Sequence, residues 1–103
     1  MAKEPVSRII WTDPAIADLD EIADYIALYK PSAAAKLIAK VFKRTDLLAY
    51  FPLSGRRVPE LPELSYREVI VKPCRIIYRI EGGYTFIVLV QRGERRLQRS
   101  RIF

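Results

Sequence analysis

The sequence predicts an α+β fold, in which an N-terminal strand precedes an antiparallel two-helix hairpin and a three-stranded antiparallel sheet. Three observations predict it: a short apolar run at residues 8–11, two segments with helical periodicity, and three later segments rich in β-branched and aromatic residues. The 103 residues are expected to form a single domain, residues 1–103. Half of the residues are apolar and 29% are charged, which is typical of a folded globular chain.

The first half of the chain predicts two helices. Asp13 can cap the first helix and Pro14 suits its first position, so this helix is predicted from Pro14 to about Tyr29. A break at residues 30–32 precedes a second helix that should end near Tyr50, and the short connection predicts an antiparallel hairpin. The residues expected to face the core recur three and four positions apart: Ile16, Leu19, Ile22, Ala23 and Ile26, then Ala34, Leu37, Ile38, Val41 and Leu48.

The second half predicts three strands, at residues 66–71, 74–81 and 84–91, because these segments are rich in Ile, Val, Tyr and Phe. Two-residue links at 72–73 and 82–83 then predict the pairing of the strands. The expected pairs are Glu81 with Tyr84, Ile77 with Val88, and Val69 with Ile76.

This register assigns the strand residues to two faces of the sheet. We expect the helices to cover the face that carries Val69, Val71, Ile76, Tyr78, Ile80, Ile87 and Leu89. The opposite face should be open, with a mixed apolar and cationic surface formed by Glu68, Ile70, Arg75, Ile77, Arg79, Phe86, Val88 and Arg92. On it, Arg75 and Arg79 could form a cross-strand ion pair with Glu68, or a cradle for a phosphate or a partner's carboxylate.

Positive charge is concentrated in the second half of the chain. The net charge is +6, and residues 56–103, with eleven basic and five acidic side chains, supply all of it. A basic surface attracts nucleic acid or an acidic protein, and charge alone does not choose between them. The tail, which could fray in solvent or become ordered against an acidic partner, carries five arginines: Arg92, Arg95, Arg96, Arg99 and Arg101.

Some functions are disfavoured by what the sequence lacks. There is no histidine and the only cysteine is Cys74, so we expect no metal site, no disulfide, no Ser-His-Asp chemistry and no cofactor. No apolar run approaches the ~20 residues that span a bilayer, and the N-terminus does not resemble a secretion signal. A cytoplasmic protein without membrane contact is therefore expected.

Three segments, taken together and in this order, resemble the ParE/RelE toxin superfamily. They are the first helix at residues 17–26 (ADLDEIADYI), the linker at 52–61 (PLSGRRVPEL), and the strands at 66–71 (YREVIV) and 75–80 (RIIYRI). The resemblance implies a toxin of a type II toxin-antitoxin pair, held inactive by an acidic, ParD-like antitoxin. We expect that antitoxin to contact the exposed cationic side of the sheet and the tail, together with the grooves beside the helices. The arginines expected to take part are Arg75, Arg79, Arg92, Arg95, Arg96, Arg99 and Arg101.

The resemblance leaves the activity open among three possibilities. ParE-like members poison DNA gyrase without a catalytic step, and the helix pattern favours that branch. RelE-like members cut messenger RNA on the ribosome, and for that activity the resemblance implies Glu60 as base, with Arg75 and Arg95 as cations. An acid is missing, because the tail has no tyrosine and no lysine pair stands where Arg67 and Glu68 are. The third possibility is a non-toxic binding module of the same fold.

Overall fold

The computed structural model describes residues 4–93 and 95–102, which form two helices beside a five-stranded mixed sheet. This architecture confirms the α+β class. The sheet has the order β1-β5-β4-β3-β2, and only the β1–β5 pair is parallel. The elements are β1 (Arg8–Trp11), α1 (Asp13–Ala27), α2 (Pro31–Asp46), β2 (Arg56–Arg57), β3 (Arg67–Val71), β4 (Cys74–Glu81) and β5 (Tyr84–Arg92), with 3₁₀ turns at Leu47–Ala49, Pro52–Ser54 and Arg99–Arg101.

The first helix begins one residue earlier than predicted, because Thr12 caps it instead of Asp13. Thr12 is still extended, and its backbone N–H donates to the Ile87 carbonyl of β5. Its hydroxyl accepts from the Ala15 N–H at 3.4 Å and donates to that same carbonyl at 2.8 Å. The cap thus joins the start of α1 to the sheet.

Most of the predicted inward residues of the helices are buried or packed against the core. Leu19 and Ala23 of α1 are buried, as are Ala34, Leu37 and Val41 of α2. Ile16 is an exception, since 43% of its surface is exposed, and Ile38 is only partly buried. Ala15 takes the inward position at that end of the helix, with none of its surface exposed.

The sheet contains one strand that the sequence analysis missed. Arg56–Arg57 forms β2 and pairs antiparallel with β3, so that Arg56 lies opposite Glu68. Gly55 allows this pairing because its backbone lies against Tyr78, whose hydroxyl accepts the Gly55 N–H at 3.0 Å. A strand of two residues is too short to show a period of two in the sequence.

A β-bulge in β5 changes the predicted register. Glu81 pairs with Tyr84 and Val69 with Ile76, as predicted, but Ile77 pairs with Leu89 and not with Val88. Val88 is the extra residue of the bulge, which begins beyond the Tyr78–Ile87 pair. Leu89 therefore lies on the face opposite to the predicted one, and Val90 packs on the helix side.

Both faces of the sheet carry a core cluster, so the prediction that the face opposite the helices is open is wrong for most of that face, where 47% of the Ile70 surface stays exposed. The helices cover one face, where Leu37, Val41, Ile76 and Tyr78 belong to the main core. The linker and the tail cover the other face and form a second cluster whose buried members are Val58, Leu61, Ile77, Leu89 and Leu97. Across residues 4–93 and 95–102, neither helix has the length and apolarity to cross a membrane.

Candidate functional site

Four charged residues on the tail-covered face form a continuous ion network, which we call the Glu60–Arg75 network. Arg75 donates from Nη1 and Nη2 to the two carboxylate oxygens of Glu60, at 2.7 and 2.9 Å. It also donates from Nε and Nη2 to Oε1 of Glu68, at 2.9 and 2.6 Å. The other oxygen of Glu68 accepts from Arg56 Nε at 2.5 Å. Arg75 therefore uses all three of its nitrogen atoms on carboxylates of its own chain.

The sheet, the linker and the tail together position this network. Glu68 on β3 and Arg75 on β4 are diagonal neighbours, a separation that long side chains span. Glu60 comes from the linker, which is anchored on either side by the buried Val58 and Leu61. The tail completes the arrangement, since the Leu97 N–H donates to Glu60 Oε2 at 3.3 Å.

The pairing changes the chemistry of both partners. The hydrogen bonds from Arg75 lower the pKa of Glu60 from 4.5 to about 2, against the opposing effect of its partial burial. The same hydrogen bonds, with a smaller contribution from Glu68, raise the pKa of Arg75 above its ordinary value. Glu60 is therefore a weak proton acceptor, and only 7% of the Arg75 surface is exposed. The network ties linker, sheet and tail together.

A second site lies between α1 and the end of β5, in a groove of about 380 Å³ that we call the arginine groove. The Arg92 guanidinium carbon lies 5.3 Å from the ring centroid of Tyr25, which forms one wall. Asp18 joins the two sides, because its carboxylate accepts from Arg101 Nη2 at 2.7 Å and from the Val90 N–H at 3.1 Å. The lining residues are Asp18, Glu21, Ile22, Tyr25, Val90, Gln91, Arg92, Arg95, Arg96, Gln98 and Arg101.

The predicted partner-binding residues do not form one surface. Arg75 is buried in the Glu60–Arg75 network, which contradicts its expected exposure. Arg79 lies near the β4–β5 turn, paired with Glu81 and 4.3 Å above the Phe86 ring. Arg99 pairs with Glu63 of the linker. The remaining four line the arginine groove: Arg92, Arg95, Arg96 and Arg101.

The candidate nuclease residues are only partly brought together. Glu60 and Arg75 are in direct contact, whereas the side chain of Arg95 lines the arginine groove. The tail is also more ordered than a fraying end, since Leu97 is buried on the chain's own sheet. Its ordering against an external partner stays a prediction.

Asp18 and Tyr25 are residues of the arginine groove that the sequence analysis did not single out. Asp18 pairs with Arg101, which is 83 positions away in sequence. No local pattern reports a contact at that separation. Among the described residues, no group of acidic or cysteine side chains is arranged to hold a metal ion.

Fold and sites together define a small basic α+β protein, with a two-helix hairpin on one face of its sheet and an arginine-rich tail on the other. The family described as the ParE toxin of the type II toxin-antitoxin system parDE matches residues 9–97. The chain belongs to this family and is thus a toxin of the ParE/RelE superfamily.

Individual relatives agree with this assignment. Toxin RelE2 of Caulobacter vibrioides is 33% identical over 91 residues, which cover 87% of this chain and 99% of the relative. Y4kP of Sinorhizobium fredii is 41% identical over 85 residues, which cover 81% of this chain and 85% of the relative. A solved structure described as a chromosomal ParDE system from P. aeruginosa is similar with a TM-score of 0.74 and 25% identity, over 86% of this chain and 98% of that one.

Proposed function

We propose that the chain is a ParE-like toxin that inhibits DNA gyrase without a catalytic step of its own and is neutralised by an acidic antitoxin. The observation that carries the proposal is the bidentate ion pair between Glu60 and Arg75. These are two of the three residues through which the chain could cleave RNA. Their mutual pairing supports a structural role for both.

Proton abstraction from a ribose 2′-hydroxyl works best with a base whose pKa is near the operating pH. Arg75 instead holds the pKa of Glu60 at about 2. A cation for the developing phosphorane charge needs donors aimed at the substrate, but every nitrogen of Arg75 already donates to Glu60 or Glu68. The absence of histidine from the sequence removes the commonest alternative base and acid.

Messenger RNA cleavage on the ribosome is the second candidate function. The similarity to a toxin named RelE2 favours it, and Glu60, Arg75 and Arg95 would be the residues involved. In that case Glu60 would have to leave Arg75 when RNA binds, which would free a carboxylate and a guanidinium together. The third possibility is a non-toxic binding module, which would bind its partner through the arginines outside the Glu60–Arg75 network.

Charge and the structural neighbour support an antitoxin partner. The net charge is +6, and the similar structure is described as a toxin-antitoxin system. We expect an acidic antitoxin to contact the predicted arginines that are not buried: Arg79, Arg92, Arg95, Arg96, Arg99 and Arg101. Arg75 was included in this prediction, but burial and saturation with internal carboxylates disfavour it as a contact. A gyrase inhibitor would act in the cytoplasm.

Two assays on one protein preparation test the proposal: gyrase supercoiling of plasmid DNA, and ribosome-dependent cleavage of a messenger. We expect the wild type to inhibit supercoiling and to leave the messenger intact. Glu60→Gln should keep the inhibition, at a temperature where the variant is folded. Glu63→Gln is the matched control, because Glu63 is a carboxylate of the same linker that pairs with Arg99 and not with Arg75.

Messenger cleavage by the wild type that disappears in Glu60→Gln but persists in Glu63→Gln would establish the ribonuclease function instead. Inactivity in both assays, together with normal growth of cells that express the soluble protein, would favour the binding module. Deletion of the tail is a poor test of gyrase inhibition, because Leu97 and Ile102 belong to the second core cluster.

A further inference from the structure

We propose that the arginine groove binds the phosphodiester backbone of duplex DNA. The recognition of phosphate is inferred from the groove itself. The choice of duplex DNA rests on the proposed function, because gyrase holds duplex DNA and an inhibitor bound beside it would lie close to the phosphates.

The first observation is the excess of positive charge in a small volume. Among the described residues, four arginines and two carboxylates line a groove of about 380 Å³, and one of those carboxylates, Asp18, is occupied by Arg101 and the Val90 N–H. Arg95 and Arg96 are adjacent and exposed, and no carboxylate within residues 4–93 and 95–102 forms an ion pair with either. Like charges held this close repel each other, and an external anion would relieve that repulsion.

The second observation is the chemistry of the remaining lining. Within residues 4–93 and 95–102, Ile22 and Val90 are the aliphatic side chains that line the groove. Beside Tyr25, its described lining offers few large apolar side chains. Arginine forks and side-chain amides such as Gln98 are instead the groups that position nucleic acid by its phosphates. The lining therefore fits the phosphates of a nucleic acid backbone.

The third observation is that the groove is preorganised. Asp18 holds Arg101 against α1, the Arg92 guanidinium lies over the Tyr25 ring, and the Gln91 amide donates to the Arg95 carbonyl at 2.9 Å. The backbone that carries Arg95 is thus fixed relative to β5. A binding site that is already ordered loses less conformational entropy when its ligand arrives.

Fluorescence anisotropy with a short labelled DNA duplex, without gyrase, tests the inference. For duplex DNA, the logarithm of the binding constant falls with the logarithm of the salt concentration, with a slope of about −0.9 per neutralised phosphate. If the groove neutralises about three phosphates, the affinity should therefore fall roughly 40-fold between about 50 and 200 mM salt. The double variant Arg95→Gln, Arg96→Gln should bind more weakly and lower the slope by about two. The control is the double variant Lys36→Gln, Lys40→Gln, which removes the same charge from the exposed side of α2. It should change the slope by less than about one.

Each outcome separates this inference from the proposed function. The inference would be overturned, and the proposed function left standing, if the protein inhibited gyrase without binding the duplex. The same holds if both double variants lost duplex binding equally. Duplex binding that depends on Arg95 and Arg96, without gyrase inhibition, would support the inference and contradict the proposed function. Binding of a single-stranded RNA of equal length but not of the duplex would overturn the choice of DNA. Polyglutamate of equal charge that binds while the duplex does not would overturn the inference in favour of an acidic protein.

Discussion

The Glu60–Arg75 network makes a quantitative prediction for Arg75→Met, which keeps the apolar stem of the side chain and removes its charge. Glu68 has a fully buried side chain, and without Arg75 it keeps only Arg56, whose side chain is 64% exposed and screened by water. Removing one partner of a buried ion pair costs about 3–5 kcal/mol. We expect the lower end, about 3 kcal/mol, because Arg56 remains and Glu60 can turn toward solvent.

Urea unfolding followed by far-UV circular dichroism measures this loss. The urea concentration at the midpoint of unfolding should fall, while the dependence of the unfolding free energy on urea concentration stays constant. The melting temperature should drop by roughly 12 °C for a domain of this size. The double variant Arg75→Met, Glu68→Gln should recover at least half of the lost free energy of unfolding, because no buried charge then lacks its partner. Arg79→Met is the matched control: its ion pair with the exposed Glu81 should contribute less than about 1 kcal/mol. A loss below about 1 kcal/mol for Arg75→Met, or a double variant less stable than the single one, would refute the reasoning.

Two further predictions concern pH and packing. Glu60 has a pKa of about 2 in the folded chain against an ordinary 4.5, so its stabilising contribution is complete above pH 4.5 and lost as the pH falls toward 2. The stability difference between wild type and Glu60→Gln should shrink across that interval in acid titrations of unfolding, and a constant difference would contradict the assigned pairing. Gly55→Ala should destabilise the chain by about 1–3 kcal/mol, because its Cβ would lie 2.5 Å from the Tyr78 hydroxyl and 2.6 Å from the Glu68 carbonyl. Gly83→Ala is the control, because its Cβ would meet no atom within 4 Å. If the two substitutions lowered the thermal unfolding temperature equally, the packing argument would be wrong.

The helices and the long strands could be predicted from the sequence because their signals are local. Leu19, Leu37 and Val41 recur at helical spacing, and the strand at residues 74–81 is rich in Ile and Tyr and ends at a Gly-Gly turn. The bulge at Val88 could not be predicted in this way. Alternation in an apolar run such as residues 86–90 fits either register, since every position is apolar.

The candidate site was harder to predict because it depends on contacts between distant residues. Glu68 and Arg75 were considered as a pair, but Glu60 reaches Arg75 only because the linker folds over the sheet. The expectation of an open cationic face failed for the same reason, since Val58, Leu61 and Leu97 cover Ile77 and Leu89. Loop and tail residues with little periodicity gave no signal that they would complete a core.

The second core cluster also has a consequence for how the protein is made. It combines Val58 and Leu61 with Leu97, so it cannot assemble until the ribosome has released the segment that follows β5. A polypeptide whose translation stops earlier would expose apolar side chains such as Ile77 and Leu89, and such surfaces are recognised by chaperones and proteases. Prematurely terminated copies of the toxin would therefore be removed more readily than finished ones, so the cell would accumulate mainly the complete molecule.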